Sequence, residues 1–358
     1  MWTVGLDAHS RSSVVCALNE DGKVVRERRI AGSLRDVVAE CARFTEPFRV
    51  CFEASIGYGT LHDGLAALPL CKSVSVAHPG QLRLIFRSKK KNDRVDARKL
   101  ATLMLLGQVP AVHVPSIDVR GWRLMVEHRR RVVDQRTMAK NSLRSILRTH
   151  AIRAPKGLWS RKGVAWLRDL VLPTRGSALK RDMLLEDLAH AERQVKRATM
   201  ALDEVGSRHP GVALLRTIPG VGPRTAEAFL AYVDDPSRFH RSKSIGCYFG
   251  LVPCQDQSAG SNKFGHITRE GPATVRKLIV EAAWRGICKS PSLKAHFERI
   301  KGDDPGRDRI ALIATAHHLL RVMLSMLKTR ASWEERLAGT EEVPHERREE
   351  CRREEDDA

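Results

Sequence analysis

Two apolar runs near the start of the chain each end in an acid: Trp2-Thr3-Val4-Gly5-Leu6-Asp7 and Phe48-Arg49-Val50-Cys51-Phe52-Glu53. Both read as strands, and an acid at a strand end points out of the sheet edge. Two more acids, Asp93 and Asp96, lie three apart in Lys91-Asn92-Asp93-Arg94-Val95-Asp96-Ala97-Arg98-Lys99-Leu100-Ala101, which reads as a helix. Residues at i and i+3 share one helix face. If strands and helix meet, four carboxylates converge on one point, and they cannot all stay ionised there without cations. Mg²⁺ takes oxygen ligands, so the cluster predicts a metal site for phosphoryl transfer.

The surrounding pattern is that of an α/β unit. Residues 1–30 read as strands that turn at Asn19-Glu20-Asp21-Gly22, and Asp-Gly between β-rich runs signals a hairpin. A helix over 33–45 capped by Ser33, a strand at 48–53, a helix near 60–68 and a strand at 72–77 follow. The order implies an open mixed sheet with acids at its strand ends. Pro110 and Pro115 close this section.

From about 117 to 150 the chain reads as one basic helix. Between 120 and 148, Arg120, Arg123, Arg129, Arg130, Arg131, Arg136, Lys140, Arg144 and Arg148 face only Glu127 and Asp134. A solvated face is the ordinary meaning of a charge run. An imbalance of nine to two favours nucleic-acid contact instead, with Arg129, Arg130, Arg131, Arg136 and Lys140 as candidates. A Pro/Gly-containing connector at 153–176 leads to a second long helix at about 177–206. The pair suggests an α-hairpin or coiled-coil arm. Such arms often dimerise, but an intramolecular pair explains the same apolar stripe.

The formal charge of +20 over 358 residues points to a polyanionic partner, nucleic acid first. A membrane surface is the rival; against it stand the lack of a run of 18 or more apolar residues and of a signal-peptide pattern. The eight cysteines form no C-x-x-C pair and read as reduced thiols of a cytoplasmic protein. Residues 331–358 hold eleven acids against five arginines and read as a disordered tail, a brake on non-specific binding.

A second motif, Ile218-Pro219-Gly220-Val221-Gly222-Pro223-Arg224-Thr225, reads as a helix-hairpin-helix. Gly220 and Gly222 allow the tight turn, and Pro223 suits the first turn of the next helix. The turn amides, with Arg224 beside them, then face a phosphate oxygen. An ordinary Gly-rich connector is the plain alternative. Downstream, residues 250–271 read as a polar, Gly-rich loop between helices, carrying Ser258, Ser261, Lys263, His266 and Arg269. A hydroxyl in such a loop is a nucleophile only if something activates it, and is more often a turn former.

These residues together resemble a known family. Gly5-Leu6-Asp7-Ala8-His9, Phe52-Glu53-Ala54-Ser55 with Gly57-Tyr58-Gly59, and the Asp93/Asp96 helix are similar to the DEDD transposases of the insertion sequence 110 group. The 219–223 turn and the 250–271 segment are similar to that family's second half. Two departures are visible: the stretch after Glu53 is a residue short, and Pro272 follows Gly271 where Asn or Asp is usual.

The resemblance implies a RuvC-like, RNase H-type catalytic domain at 1–115 and a coiled-coil arm at 116–206. A transposase domain with helix-hairpin-helix and serine loop at 207–330 and the tail at 331–358 complete the chain. It implies Asp7, Glu53, Asp93 and Asp96 as a tetrad for Mg²⁺, two ions, and a serine nucleophile at Ser258, with Ser261 open as the alternative. Lys263, Arg269, Gly220, Gly222 and Arg224 would contact nucleic acid. The implied activity is excision and insertion of DNA by a prokaryotic, nucleoid-associated recombinase, guided by an element-encoded bridge RNA and acting as a homodimer or homotetramer. Alternatives are an invertase without a guide, a metal-dependent resolvase or nuclease with water as nucleophile, and a non-enzymatic scaffold. In the scaffold the acids would only pair with Lys89, Lys90, Lys91, Arg94 and Arg98.

Overall fold

The first apolar run forms β1 (Trp2–Asp7), antiparallel to β2 (Ser12–Leu18), which pairs with β3 (Val24–Ala31). The expected turn lies between β2 and β3, with Gly22 at φ +77° and the Lys23 amide donating to Asn19 Oδ1 at 2.8 Å. Next come α1 (Leu34–Cys41), β4 (Phe48–Glu53), α2 (Tyr58–Ala66) and β5 (Cys71–Ala77). The strand order is β3-β2-β1-β4-β5, with β4 parallel to both β1 and β5. α3 (Pro79–Ile85) and α4 (Asp93–Leu105) follow. This computed structural model describes residues 1–85, 92–258 and 261–334, and splits into the units Met1–Ile117 and Asp118–Ala358.

Parallel pairing needs crossovers; their helices α1 and α2 cover one sheet face, and α4, after the last strand, covers the other. Val4, Leu6, Val50 and Phe52 pack on one face with Val37 and Cys41 of α1 and Leu61 and Leu65 of α2. Phe52 and Leu6 are fully buried, each worth about 2 kcal/mol by area. The opposite face carries α4: Cys51 packs with Leu100, Leu103 and Met104, and Val14, Cys16 and Leu18 with Ala97 and Ala101. Where α4 crosses β1, backbone meets backbone. A Cβ on Gly5 would lie 2.0 Å from the Ala97 carbonyl oxygen and 2.4 Å from the Ala101 nitrogen.

In the second unit, α5 (Ile117–Thr149) and α7 (Arg175–Arg208) run antiparallel. Arg129 Nε donates to Thr199 Oγ1 at 2.9 Å, Lys140 pairs with Glu192 at 3.5 Å and His150 bonds Ser177 at 2.8 Å. Partner numbers fall along α7 as they rise along α5. The seam holds Ala139, Leu143 and Leu147 against Leu185 and Leu188. The connector expected at 153–176 contains a helix, α6 (Arg161–Asp169), whose Leu167 joins that seam. The Gly163 amide donates to the Ser160 hydroxyl at its N-cap.

The remaining elements are α8 (Pro210–Leu215), α9 (Pro223–Val233), α10 (Ser244–Tyr248), β6 (Pro253–Ser258), β7 (Ser261–Ile267), α11 (Ala273–Ile287), α12 (Pro291–Lys301) and α13 (Asp308–Thr329). Phe229, Ile245, Phe249, Ile279, Leu319, Leu320 and Met323 form the core. By length and composition the stretch Pro305–Thr329 could cross a membrane; here it supplies core residues. The segment read as a Gly-rich loop contains an antiparallel hairpin, β6 with β7. Its residues are mostly polar, and its two large apolar ones, Phe264 and Ile267, are three apart, so no alternation betrayed the strands. The tail expected at 331–358 falls mostly outside the described residues, as do Lys89, Lys90 and Lys91.

Gly5→Ala should destabilise the protein by about 3 kcal/mol or prevent folding, because neither contacting backbone can retreat. Gly121→Ala, in the second turn of α5 with nothing within 4 Å of its Cβ, should stabilise by about 0.5–1 kcal/mol. Denaturant unfolding of both variants checks the pair.

Candidate active site

Alternation along β1 sends Leu6 to the α1/α2 face and Asp7 to the face under α4. Leu6 is in register with Phe52, so Glu53 follows on β4 as Asp7 follows on β1. Adjacent strands lie about 4.8 Å apart. Glu53 is exposed, whereas Asp7 is half-buried. Asp93 and Asp96 occupy the first turn of α4, whose N-cap Asn92 accepts from the Arg94 amide at 3.1 Å. A helix N-terminus favours both acids, and Lys99 pairs with Asp96 at 3.2 Å.

These elements bring Asp7 and Asp93 together with a third group, His9. One ligand atom from each lies within 4.8 Å of the others, and His9 Nε2 is 3.2 Å from Asp7 Oδ1. Burial pushes the Asp7 carboxyl above the ordinary range; His9 opposes this, while the charges of Asp93 and Asp96 add to it. An acid so placed is stabilised by any cation that replaces lost water. The oxygen donors of Asp7 and Asp93 suit a hard divalent ion; Asp96 acts on Asp7 through its charge, while Glu53 is exposed at the end of β4 and is not part of that group among the described residues. His9 carried no role in the sequence reading, although its position two residues beyond Asp7 was the signal.

The basic residues divide by partner. Arg224 is only 15% exposed, pairs with Glu227 at 2.9 Å and with Asp203, and donates to the Thr199 carbonyl at 3.2 Å. Arg129 is held by Thr199, and burial, with Arg224 nearby, lowers its pKa. Arg130 pairs with Asp134 at 3.4 Å, and Lys140 lies 5.2 Å over the Trp159 ring. Arg131 and Arg136 make no ion pair among the described residues. Gly220, at φ +93°, is required by packing: its Cβ would sit 2.5 Å from the Gly286 nitrogen and 2.6 Å from the Ala282 carbonyl oxygen. Gly222 caps α9 in extended conformation, with nothing within 4 Å of its Cβ.

Ser258 and Ser261 form the final registered pair of the β6–β7 hairpin. Their side chains and that of Lys263 lie outside the described residues. Arg269 is exposed, at φ +57°.

Two measurements follow from these environments. Adding Mg²⁺ or Mn²⁺ should raise the melting temperature of the wild type by several degrees and leave Asp7→Asn unmoved, read by thermal scanning. Separately, burial pushes the Glu227 carboxyl up to about 7 despite Arg224. A raised acid binds its proton more tightly when folded, so its contribution is full below the unfolded value near 4.5 and is lost as pH rises through 7. Glu227→Gln should remove a fall on the order of 3 kcal/mol across that window, measured by unfolding at several pH values.

Residues 4–152 match the profile of the DEDD transposases of the IS110 group, described as "Transposase", and residues 212–298 match "Transposase IS116/IS110/IS902 family". The chain is 24% identical over 287 residues to the transposase for insertion sequence element IS1111A of Coxiella burnetii, covering 78% of this chain and 76% of that one. It is 25% identical over 288 residues to the transposase for insertion sequence element IS1328 of Yersinia enterocolitica, covering 78% and 82%. It is 27% identical over 127 residues to the pilin gene-inverting protein of Moraxella lacunata, covering 35% and 39%. The two profiles follow one another along one chain and take in both the acid-bearing sheet with α4 and the 219–223 turn: the chain belongs to the IS110 family of transposases, enzymes that cleave and rejoin DNA.

Proposed function

We propose that this transposase exchanges DNA strands by Mg²⁺-assisted transesterification, with Asp7, Glu53, Asp93 and Asp96 holding two ions and Ser258 as nucleophile. The grouping of Asp7 and Asp93 at one sheet edge, with Asp96 charge acting on Asp7, is the observation that carries it. Divalent ions bound there supply charge stabilisation for the transferring phosphoryl group. The chain's own part is to orient and to react. The Ser258 Oγ–P bond forms as a P–O ester bond breaks, and the freed strand end is a hydroxyl. The phosphoserine ester keeps the bond energy, so rejoining needs no nucleotide hydrolysis. Lys263 and Arg269 bind backbone phosphates of the DNA on either side of the exchange point, and the 219–223 turn with Arg131 and Arg136 holds the duplex backbone.

The sheet order β3-β2-β1-β4-β5, three antiparallel strands then two parallel ones, supports a RuvC-like RNase H reading of 1–115. The antiparallel α5–α7 pair supports an arm at 116–206, with the serine domain at 207–330. In this reading an element-encoded RNA selects target and donor, and the protein works as a homodimer or homotetramer. The likeness to a pilin gene-inverting protein favours a second reading, inversion at fixed sites without a guide. Purification with nuclease-protected RNA analysis separates the two: a defined RNA co-purifies in the first and not in the second.

Ser258→Ala should abolish the covalent protein–DNA adduct on denaturing gels; an adduct that persists sinks the nucleophile assignment. Asp93→Asn should cut strand exchange by about 100-fold or more, since even outer-shell changes at metal sites cost 10–100-fold. Full exchange by Asp93→Asn in Mg²⁺ would remove Asp93 from the site.

A further inference from the structure

At the foot of the β6–β7 hairpin, between β7 and the first half of α13, lies a cleft of about 640 Å³. Its floor is apolar, with Ile267, Ile310 and Ile313, and Ile310 is 60% exposed. Its rim carries Arg269, Arg309 and His266, and no carboxylate lines it among the described residues. Neither arginine makes an ion pair among the described residues; the neighbouring Asp308 is taken by Lys301 at 3.0 Å.

The arginine on the hairpin side is held in place by its surroundings. Arg269 sits at φ +57°, a region that L-residues avoid. A Cβ on Gly250 would lie 2.4 Å from the Glu270 nitrogen, and one on Gly271 2.1 Å from the Tyr248 carbonyl oxygen. The Arg276 guanidinium donates to the carbonyls of Phe249 (3.1 Å), Gly271 (3.2 Å) and Glu270. The segment 268–271 is thus clamped on 248–250, and Arg269 is presented at the cleft by backbone that cannot relax.

A volume of this order suits a small organic ligand. An apolar floor takes a flat uncharged face, and a guanidinium rim takes an anion. A nucleotide joins the two at the right scale. Stacked duplex cannot offer a base to such a cleft, so the nucleotide must be unstacked. β6 rises about 3.4 Å per residue, which sets Ser258 about 17 Å from Pro253 at the cleft. That is about five steps of stacked strand.

We propose that this cleft binds one unstacked DNA nucleotide a few positions from the phosphate exchanged at the Ser258 end of the hairpin. The base lies on Ile267, Ile310 and Ile313, and its phosphate between Arg269 and Arg309. The assignment rests on the strand-exchange reading above and adds to it a site for a strand held open.

The test measures binding of the full-length protein, by fluorescence anisotropy, to three single strands of about twelve nucleotides: oligothymidylate, the same DNA chain without bases, and oligouridylate. Wild type should prefer oligothymidylate over the abasic strand by about tenfold. Ile310→Asp, at a position open enough to spare the fold, should bring the two within about twofold while abasic binding stays unchanged. Arg309→Ala should weaken both about threefold. Equal binding of the two DNA strands by wild type, or a preference that survives Ile310→Asp, overturns the cleft and leaves the strand-exchange reading standing. No binding to any strand overturns both. A gain that depends on Ile310 with oligouridylate alone overturns the assignment to DNA.

Discussion

The contact of α4 on β1 is the constraint from which the candidate site follows. Gly5 has no side chain to hold the helix away, and Ala97 and Ala101 have almost none. Backbone therefore meets backbone at the middle of the central strand. From there, the helix start and the strand end reach the same edge. Asp93, at the N-terminal residue of α4, and Asp7, two residues past Gly5, are brought together by that approach. A larger residue at any of the three positions would separate strand end from helix start, and with them the carboxylates.

The burial that orders these groups also sets their charge. Asp7 is raised by burial and by its acidic neighbours, which is the electrostatic condition a cation relieves. The same logic acts on the arginines of the second unit with opposite sign. Arg224 is taken up inside by Glu227 and Asp203, and Arg129 by Thr199. The excess positive charge of the chain is therefore not all available to a partner. Among the arginines that make no ion pair among the described residues are Arg131 and Arg136 on α5 and Arg269 and Arg309 at the hairpin foot.

Much of the first unit was legible because its elements obey strong local rules. β1, the turn at Gly22, α1 behind Ser33, β4 and β5 stand where apolar runs, turn residues and caps put them. α5 and α7 were legible from their periodicity and length. α6 was hidden because its nine residues sit among prolines and glycines. The β6–β7 hairpin was hidden because its residues are mostly polar and its apolar ones do not alternate, so only backbone pairing reveals it. Among site residues, the acids stood out as charges ending apolar runs, whereas His9 had no such frame.

The sequence by itself determined residue chemistry and local elements: acids at two strand ends and one helix start, a glycine turn, a basic helix, and a family likeness carried by those motifs. Periodicity and capping act over a few residues, so a chain states them directly. Only the tertiary structure decided which acids share a point, that Gly220 serves the packing of α11, and that Arg224 spends its charge internally. Such facts depend on contacts between residues far apart in sequence. No local pattern encodes the distance between two backbones, and that distance places Asp93 beside Asp7.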